Sequence, residues 1–120
     1  MKVLVVDDEG IVLDSCTVVL EDEGYEVLSV ASAREAEKLC KTIEPALCII
    51  DVKMPERDGM SLMQTIKTRW PDKPVIVMSG YATPETIHEA EEKGCAAFLA
   101  KPFTPDELMQ KVRQVMHKEA

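Results

Sequence analysis

The sequence has 120 residues, the size of one ordinary domain, and its 46% hydrophobic content is enough to fill one core, so a second domain is not expected. Its 22 acidic residues outnumber the 14 basic ones and give a net charge of −8, which opposes general binding to nucleic acid or to an anionic membrane. Any DNA target must be touched by something else. No apolar stretch approaches the roughly 20 residues that span a bilayer, and Met1-Lys2-Val3-Leu4 leads into a strand pattern rather than a cleavable signal, so a cytoplasmic protein is expected. The four cysteines, Cys16, Cys40, Cys48 and Cys95, form no C-x-x-C pair and read as small apolar side chains rather than metal ligands or a redox motif.

Lys2 to Val6 is a β-branched strand, and Val12, Cys16, Val19 and Leu20 follow at helical spacing until Gly24. Tyr25 to Val30 alternates as an edge strand. Ser32 and Glu35 then make a capping-box pattern ahead of Ala36, Leu39, Cys40 and Ile43. Leu47 to Ile50 is the third strand, and Gly59 opens a helix carrying Leu62, Met63 and Ile66 that the Trp70-Pro71-Asp72 turn ends. Val75 to Met78 is the fourth strand, with Thr83 and Pro84 as cap and first residue of a helix containing Ile87 and Ala90 and ended by Gly94. Ala96 to Leu99 is the fifth strand; Thr104, Pro105 and Glu107 repeat the cap signature before Leu108, Val112 and Val115.

Alternating β and α segments of this length predict an α/β fold with a parallel sheet covered on both faces. The flavodoxin-like (βα)5 doubly wound arrangement, with a five-stranded sheet of order 2-1-3-4-5, puts the topological switch point between strands one and three. Asp7/Asp8, Asp51, Ser79 and Lys101 each follow an apolar run directly, so the shared carboxyl edge of the sheet would bring them together. Alone, Asp7-Asp8 would read as a solvated helix start and Ser79 as a turn residue; their convergence makes them a candidate site. Two carboxylates about 4 Å apart repel by roughly 4 kcal/mol at an effective dielectric near 20, so three require a counter-charge. Hard oxygens suit Mg²⁺, with Mn²⁺ as the variant, and leave positions open for water and a phosphoryl group. Lys101 offers a point charge to a phosphate oxygen, and Ser79 a hydroxyl donor.

These residues give the chain a close resemblance to receiver domains of two-component response regulators. It rests on Asp7-Asp8, on Asp51 with Met54-Pro55 and Asp58-Gly59 behind it, on Ser79-Gly80, and on Lys101-Pro102-Phe103, and it spans a single domain over residues 1–120. The resemblance implies that Asp51 is the phosphoacceptor, taking the phosphoryl group from a sensor histidine kinase or phosphotransfer protein. It implies Mg²⁺ held by Asp8 and Asp51, by Asp7 mainly through water, and by the Lys53 backbone carbonyl. Ser79 and Lys101 would hold the transferred group. It further implies a switch in which Ser79 moves toward that group and Phe98 turns inward, reshaping the face of the fourth helix, fifth strand and fifth helix that meets an output domain or protein partner. A cis Lys101–Pro102 bond and a phosphorylation-dependent homodimer belong to the same set of expectations. So does a signalling switch that is not an enzyme beyond phosphotransfer and autodephosphorylation.

Lys53 and Tyr81 occupy positions that vary in this family, beside the path of an attacking water, and are expected to tune dephosphorylation. Phe98 stands where tyrosine is the common alternative, and Ser79 where threonine is more frequent. Met78 to Pro84 looks most like receivers attached to ATP-driven activators of sigma-54-dependent transcription. Met54, Met60 and Met63 read as packing residues, and His88 and His117 as solvent-facing. Two other functions compete: a haloacid dehalogenase-type phosphatase, which wants a second Asp where Lys53 stands, and a receiver-like interaction module that is never phosphorylated. No G-x-G-x-x-G follows the first strand, which argues against a nucleotide-binding oxidoreductase.

Overall fold

A computed structural model describes residues 1–54 and 57–116, so Pro55 and His117 lie outside the described residues. Five parallel strands, β1 (Lys2–Val6), β2 (Glu26–Val30), β3 (Leu47–Asp51), β4 (Val75–Ser79) and β5 (Ala97–Ala100), form one sheet of order β2-β1-β3-β4-β5. The helices between and after them are α1 (Gly10–Asp22), α2 (Ala33–Ile43), α3 (Gly59–Arg69), α4 (Pro84–Glu92) and α5 (Pro105–Met116). Among the described residues no helix is long and apolar enough to cross a membrane.

The side-chain period of two divides the apolar strands between two cores. Leu4, Val6, Cys48, Ile50, Val75 and Val77 pack under α2, α3 and α4 with Ala36, Cys40, Leu62, Met63, Ile66 and Ala90. Val3, Val5, Leu47, Ile49, Ile76 and Met78 pack on the opposite face with Cys16 and Leu20 of α1 and Leu108, Met109 and Val112 of α5. Met60 and Met63 are buried, Met54 packs against the first core, and Cys16, Cys40 and Cys48 are buried free thiols. The register aligns Val6 with Ile50, Asp51 with Met78, and Ser79 with Ala100, which levels the carboxyl ends of four strands.

Helix starts follow local chemistry. Glu35 N–H donates to Ser32 Oγ at 3.2 Å, and Thr104 and Glu107 exchange bonds of 2.9 and 3.1 Å in a reciprocal capping box. Thr86 N–H donates to Thr83 Oγ1 at 3.2 Å, and Ser61 N–H to Asp58 Oδ1 at 2.8 Å. The Asp58 cap was not read from the sequence. Gly24 and Gly94 take φ of 93° and 103°, in the region that favours glycine, and end α1 and α4.

β3 and β4 each run one residue further than expected, to Asp51 and Ser79, while β2 starts one residue later and β5 lies one residue later at both ends. The Tyr25 N–H donates to Leu20 O and closes α1, so β2 starts at Glu26. Ala100 pairs with Ser79, so β5 runs Ala97–Ala100 rather than Ala96 to Leu99.

Gly59 sits where α3 starts against the end of β3. A Cβ there would lie 2.0 Å from the Asp51 carbonyl oxygen and 2.9 Å from Ile50 Cγ2, so backbone must move to admit it. At Gly10, the first residue of α1, a Cβ would meet nothing within 4 Å. Gly59→Ala is therefore expected to cost roughly 1–3 kcal/mol in urea unfolding. Gly10→Ala should be neutral or gain up to about 1 kcal/mol. Equal midpoints for the two variants would contradict the close approach.

Candidate functional site

The main chain fixes the site before any side chain does. Asp7 N–H donates to Val30 O, Val52 N–H to Met78 O, and Lys101 N–H to Ser79 O, so the ladder continues past the strand ends. Asp7 thus leaves β1 beside Asp51, the last residue of β3, while Ser79 closes β4 and Lys101 leaves β5. The sequence-selected Asp8, Asp51, Lys53, Ser79, Tyr81 and Lys101 line one cleft of about 280 Å³, together with Glu9 and Gly80. Asp7 is buried beneath it. A larger cleft of about 690 Å³, lined by Lys67, Asp72, Pro74 and Gln114 among others, holds one carboxylate, so size alone does not mark the site.

Lys101 Nζ lies 2.6 Å from Asp7 Oδ2, 3.4 Å from Asp51 Oδ1 and 3.2 Å from Glu9 Oε1. Glu9 was missed by the sequence reading, although it extends the Asp7-Asp8 run by one acid. Its backbone N–H also donates to Asp7 Oδ1 at 2.8 Å. The Lys101–Pro102 bond is cis. Ser79 is buried, and its Oγ accepts the Tyr81 N–H at 2.9 Å, which leaves the hydroxyl proton free to point into the cleft. Lys53 Nζ stands 4.0 Å from the centroid of the Tyr81 ring, a cation–π contact across the cleft mouth. Phe98 is half-buried against the first core and pairs with Val77, on the sheet face that Ser79 shares. His88 is exposed and lies 3.0 Å from Glu92, away from the cleft.

One ammonium faces several carboxylates, and the proton affinities record the imbalance. Burial first, then the charge of Asp7, pushes Asp51 up to about 6 against the opposing pull of Lys101. Burial also raises Asp7, although Lys101 and the Glu9 N–H hold it down. Burial disfavours the Lys101 ammonium, but the hydrogen bond to Asp7 and the charges of Asp51 and Asp7 outweigh it, and the amine is held above its ordinary value.

A profile described as the response regulator receiver domain matches residues 3–113. The chain belongs to the response regulator receiver domain family. Its receiver sequence is 36% identical over 118 residues to the hydrogenase transcriptional regulatory protein HoxA of Cupriavidus necator, covering 98% of this chain and 24% of that protein. The solution structure of the beryllofluoride-activated NtrC4 receiver domain dimer superposes with a TM-score of 0.93 at 35% identity, covering 99% of this chain and 98% of that one. Vibrio cholerae chemotaxis protein CheY4 gives a TM-score of 0.92 at 29% identity, covering 96% of this chain and 98% of that one. The receiver spans about a quarter to about half the length of the curated relatives it matches.

A divalent cation fits the receiver's donor set. Asp7, Asp8 and Asp51 each offer a carboxylate oxygen, and these atoms lie within 4.8 Å of one another. All are hard ligands, and Lys101 alone does not balance them.

The raised Asp51 affinity has a stability consequence. Between its unfolded value of 3.8 and its folded value of about 6, the folded chain keeps a proton that the unfolded chain loses, so stability falls as pH rises through that window. Without divalent metal, Asp51→Asn should be more stable than wild type by about 1–3 kcal/mol at pH near 7.5, with the difference vanishing below about pH 4. Urea unfolding at both pH values checks this; a difference that does not depend on pH would contradict it. Mg²⁺ should stabilise the wild type more than the variant.

Proposed function

We propose that Asp51 accepts a phosphoryl group from the phosphohistidine of a sensor histidine kinase or phosphotransfer protein. The observation that carries this reading is the placement of the Asp51 carboxylate in the cleft, 3.4 Å from Lys101 Nζ and with an oxygen within 4.8 Å of carboxylate oxygens of Asp7 and Asp8. Near neutral pH Asp51 lies above its affinity of about 6 and is mostly the nucleophilic carboxylate. An Asp51 oxygen forms the new bond to phosphorus as the bond to the histidine nitrogen breaks. Asp8 and Asp51, with Asp7 mainly through water and the Lys53 backbone carbonyl, would hold the Mg²⁺. When bound, the ion supplies charge neutralisation at the phosphoryl oxygens. Lys101 donates to one of those oxygens and the free Ser79 proton to another.

Occupancy is reported by Ser79 moving toward the phosphoryl group and by Phe98 turning inward on the same sheet face. The α4-β5-α5 surface is then the output face toward a further domain or partner, or toward a second copy; the NtrC4 receiver is described as a dimer in its activated form. The receiver would serve in the cytoplasm as one part of a longer transcriptional regulator, as HoxA is named, with DNA contacted elsewhere. A haloacid dehalogenase-type phosphatase is not favoured, because Lys53 stands where that chemistry wants a second acid.

Acetyl phosphate with Mg²⁺ should add one phosphoryl mass to the chain, and Asp51→Asn should abolish the gain. Amide shifts should move along α4, β5 and α5; an unchanged spectrum there would remove the output face from the proposal. Turnover of a generic phosphate ester would favour the phosphatase instead.

Lys53 and Tyr81 cover the cleft mouth through a cation–π contact, of roughly 0.5–1 kcal/mol at an exposed position, and restrict the approach of water to the aspartyl phosphate. Lys53→Ala and Tyr81→Ala should each shorten the lifetime of phosphorylated Asp51 several-fold. Lifetimes equal to wild type, followed by intact mass after removal of the donor, would show that the pair shields nothing.

A further inference from the structure

An ammonium has three N–H donors, and Lys101 has three carboxylate neighbours: Asp7, Asp51 and Glu9. The first two belong to the pocket chemistry already described. Glu9 does not, yet its side chain is committed in a particular way. It occupies the N-cap of α1, where an oxygen ordinarily accepts a first-turn N–H, but it makes no such bond and reaches Lys101 at 3.2 Å instead. Its carboxylate is also the one most open to water, with a side chain 59% exposed against 0% for Asp7 and 7% for Asp51.

These differences decide which contact Lys101 can release. Separation from Asp7 would strand a buried carboxylate, whereas Glu9 regains water when the ammonium leaves it. We propose that Glu9 is a positioning residue that holds one N–H of Lys101 in the unphosphorylated receiver and competes with the phosphoryl group on Asp51 for it. The idea rests on Asp51 being the acceptor. In this arrangement Glu9 weakens the grip of the pocket on its phosphoryl group by favouring the empty state, while contributing nothing to cation binding.

Two substitutions at the same position separate contact from charge. Glu9→Gln keeps the length and loses the charge. Glu9→Asp keeps the charge but shortens the reach toward Lys101 and suits the vacant α1 cap. The measurement is the apparent affinity for beryllofluoride in saturating Mg²⁺, read from amide shifts, with Mg²⁺ affinity measured separately. Both variants should bind beryllofluoride roughly two- to fivefold more tightly, the factor that an exposed ion pair of up to about 1 kcal/mol allows. Mg²⁺ affinity should stay within about twofold of wild type.

Unchanged or weaker beryllofluoride binding in both variants would overturn the proposal. So would tighter binding in Glu9→Gln alone, which would mean simple charge repulsion, or a parallel fall in Mg²⁺ affinity, which would make Glu9 a metal ligand. A purely structural role would move the urea midpoint and leave the beryllofluoride affinity where it was. Wild-type protein that takes no phosphoryl group from acetyl phosphate would instead defeat the assignment of Asp51, so the two failures are distinguishable.

Discussion

The Lys101 ammonium, held between Asp7 and Asp51, ties the carboxyl end of β5 to those of β1 and β3 across the sheet. Burying such a group costs several kcal/mol before any attraction is counted, and the attraction offsets that cost only where partners are close and well placed. The contact to Asp7 is 2.6 Å and its carboxylate is fully buried, so the ammonium cannot be withdrawn without stranding that charge. Asp51, by contrast, lies at 3.4 Å with its proton affinity raised to about 6. Asp7 anchors the ammonium, and Asp51 is left undercompensated.

That inequality sets the character of the pocket. A sheet edge that gathers several acids around one lysine is a local departure from what stability alone would select, and the departure falls at the candidate functional site. The two cores absorb it. The three inner strands β1, β3 and β4 bring their apolar runs to nearly complete burial, and the main-chain bonds from Asp7 to Val30, Val52 to Met78 and Lys101 to Ser79 hold the loop residues in register with the strands. Gly59 closes the packing behind Asp51, where a side chain would collide with the Asp51 carbonyl.

The strands, the helix caps at Ser32, Thr83 and Thr104, and the acid–hydroxyl–lysine set were legible because each is written locally: an apolar run followed by one polar residue, or a capping residue three before its partner. What was not legible depends on residues far apart in sequence. The Glu9 contact joins residues 92 apart, and locally Glu9 shows only as a third acid after Asp7-Asp8. The Lys53–Tyr81 stack likewise needs the β3 and β4 loops to stand side by side. The one-residue shift of β5 follows from the pairing of Ala100 with Ser79, which residues 96–100 alone do not determine. The Asp58 cap of α3 is the exception, since its bond to Ser61 spans three residues and is written as locally as the caps at Ser32, Thr83 and Thr104.

In the proposed mechanism the same geometry would carry an event at Asp51 to the surface. Ser79 Oγ is held by the Tyr81 N–H, and two residues further on Thr83 caps α4, so displacement of the hydroxyl pulls directly on the segment that starts that helix. Among the described residues of α4, Ala90 is the one that is buried, whereas α3 buries Gly59, Met60, Leu62, Met63 and Ile66. Elements that bury little apolar surface are the ones that shift at low free-energy cost. In the proposed mechanism, new hydrogen bonds from Ser79 and Lys101 therefore have a weakly seated helix to move, and the partly buried Phe98 on the adjoining strand has surface still to bury when it does.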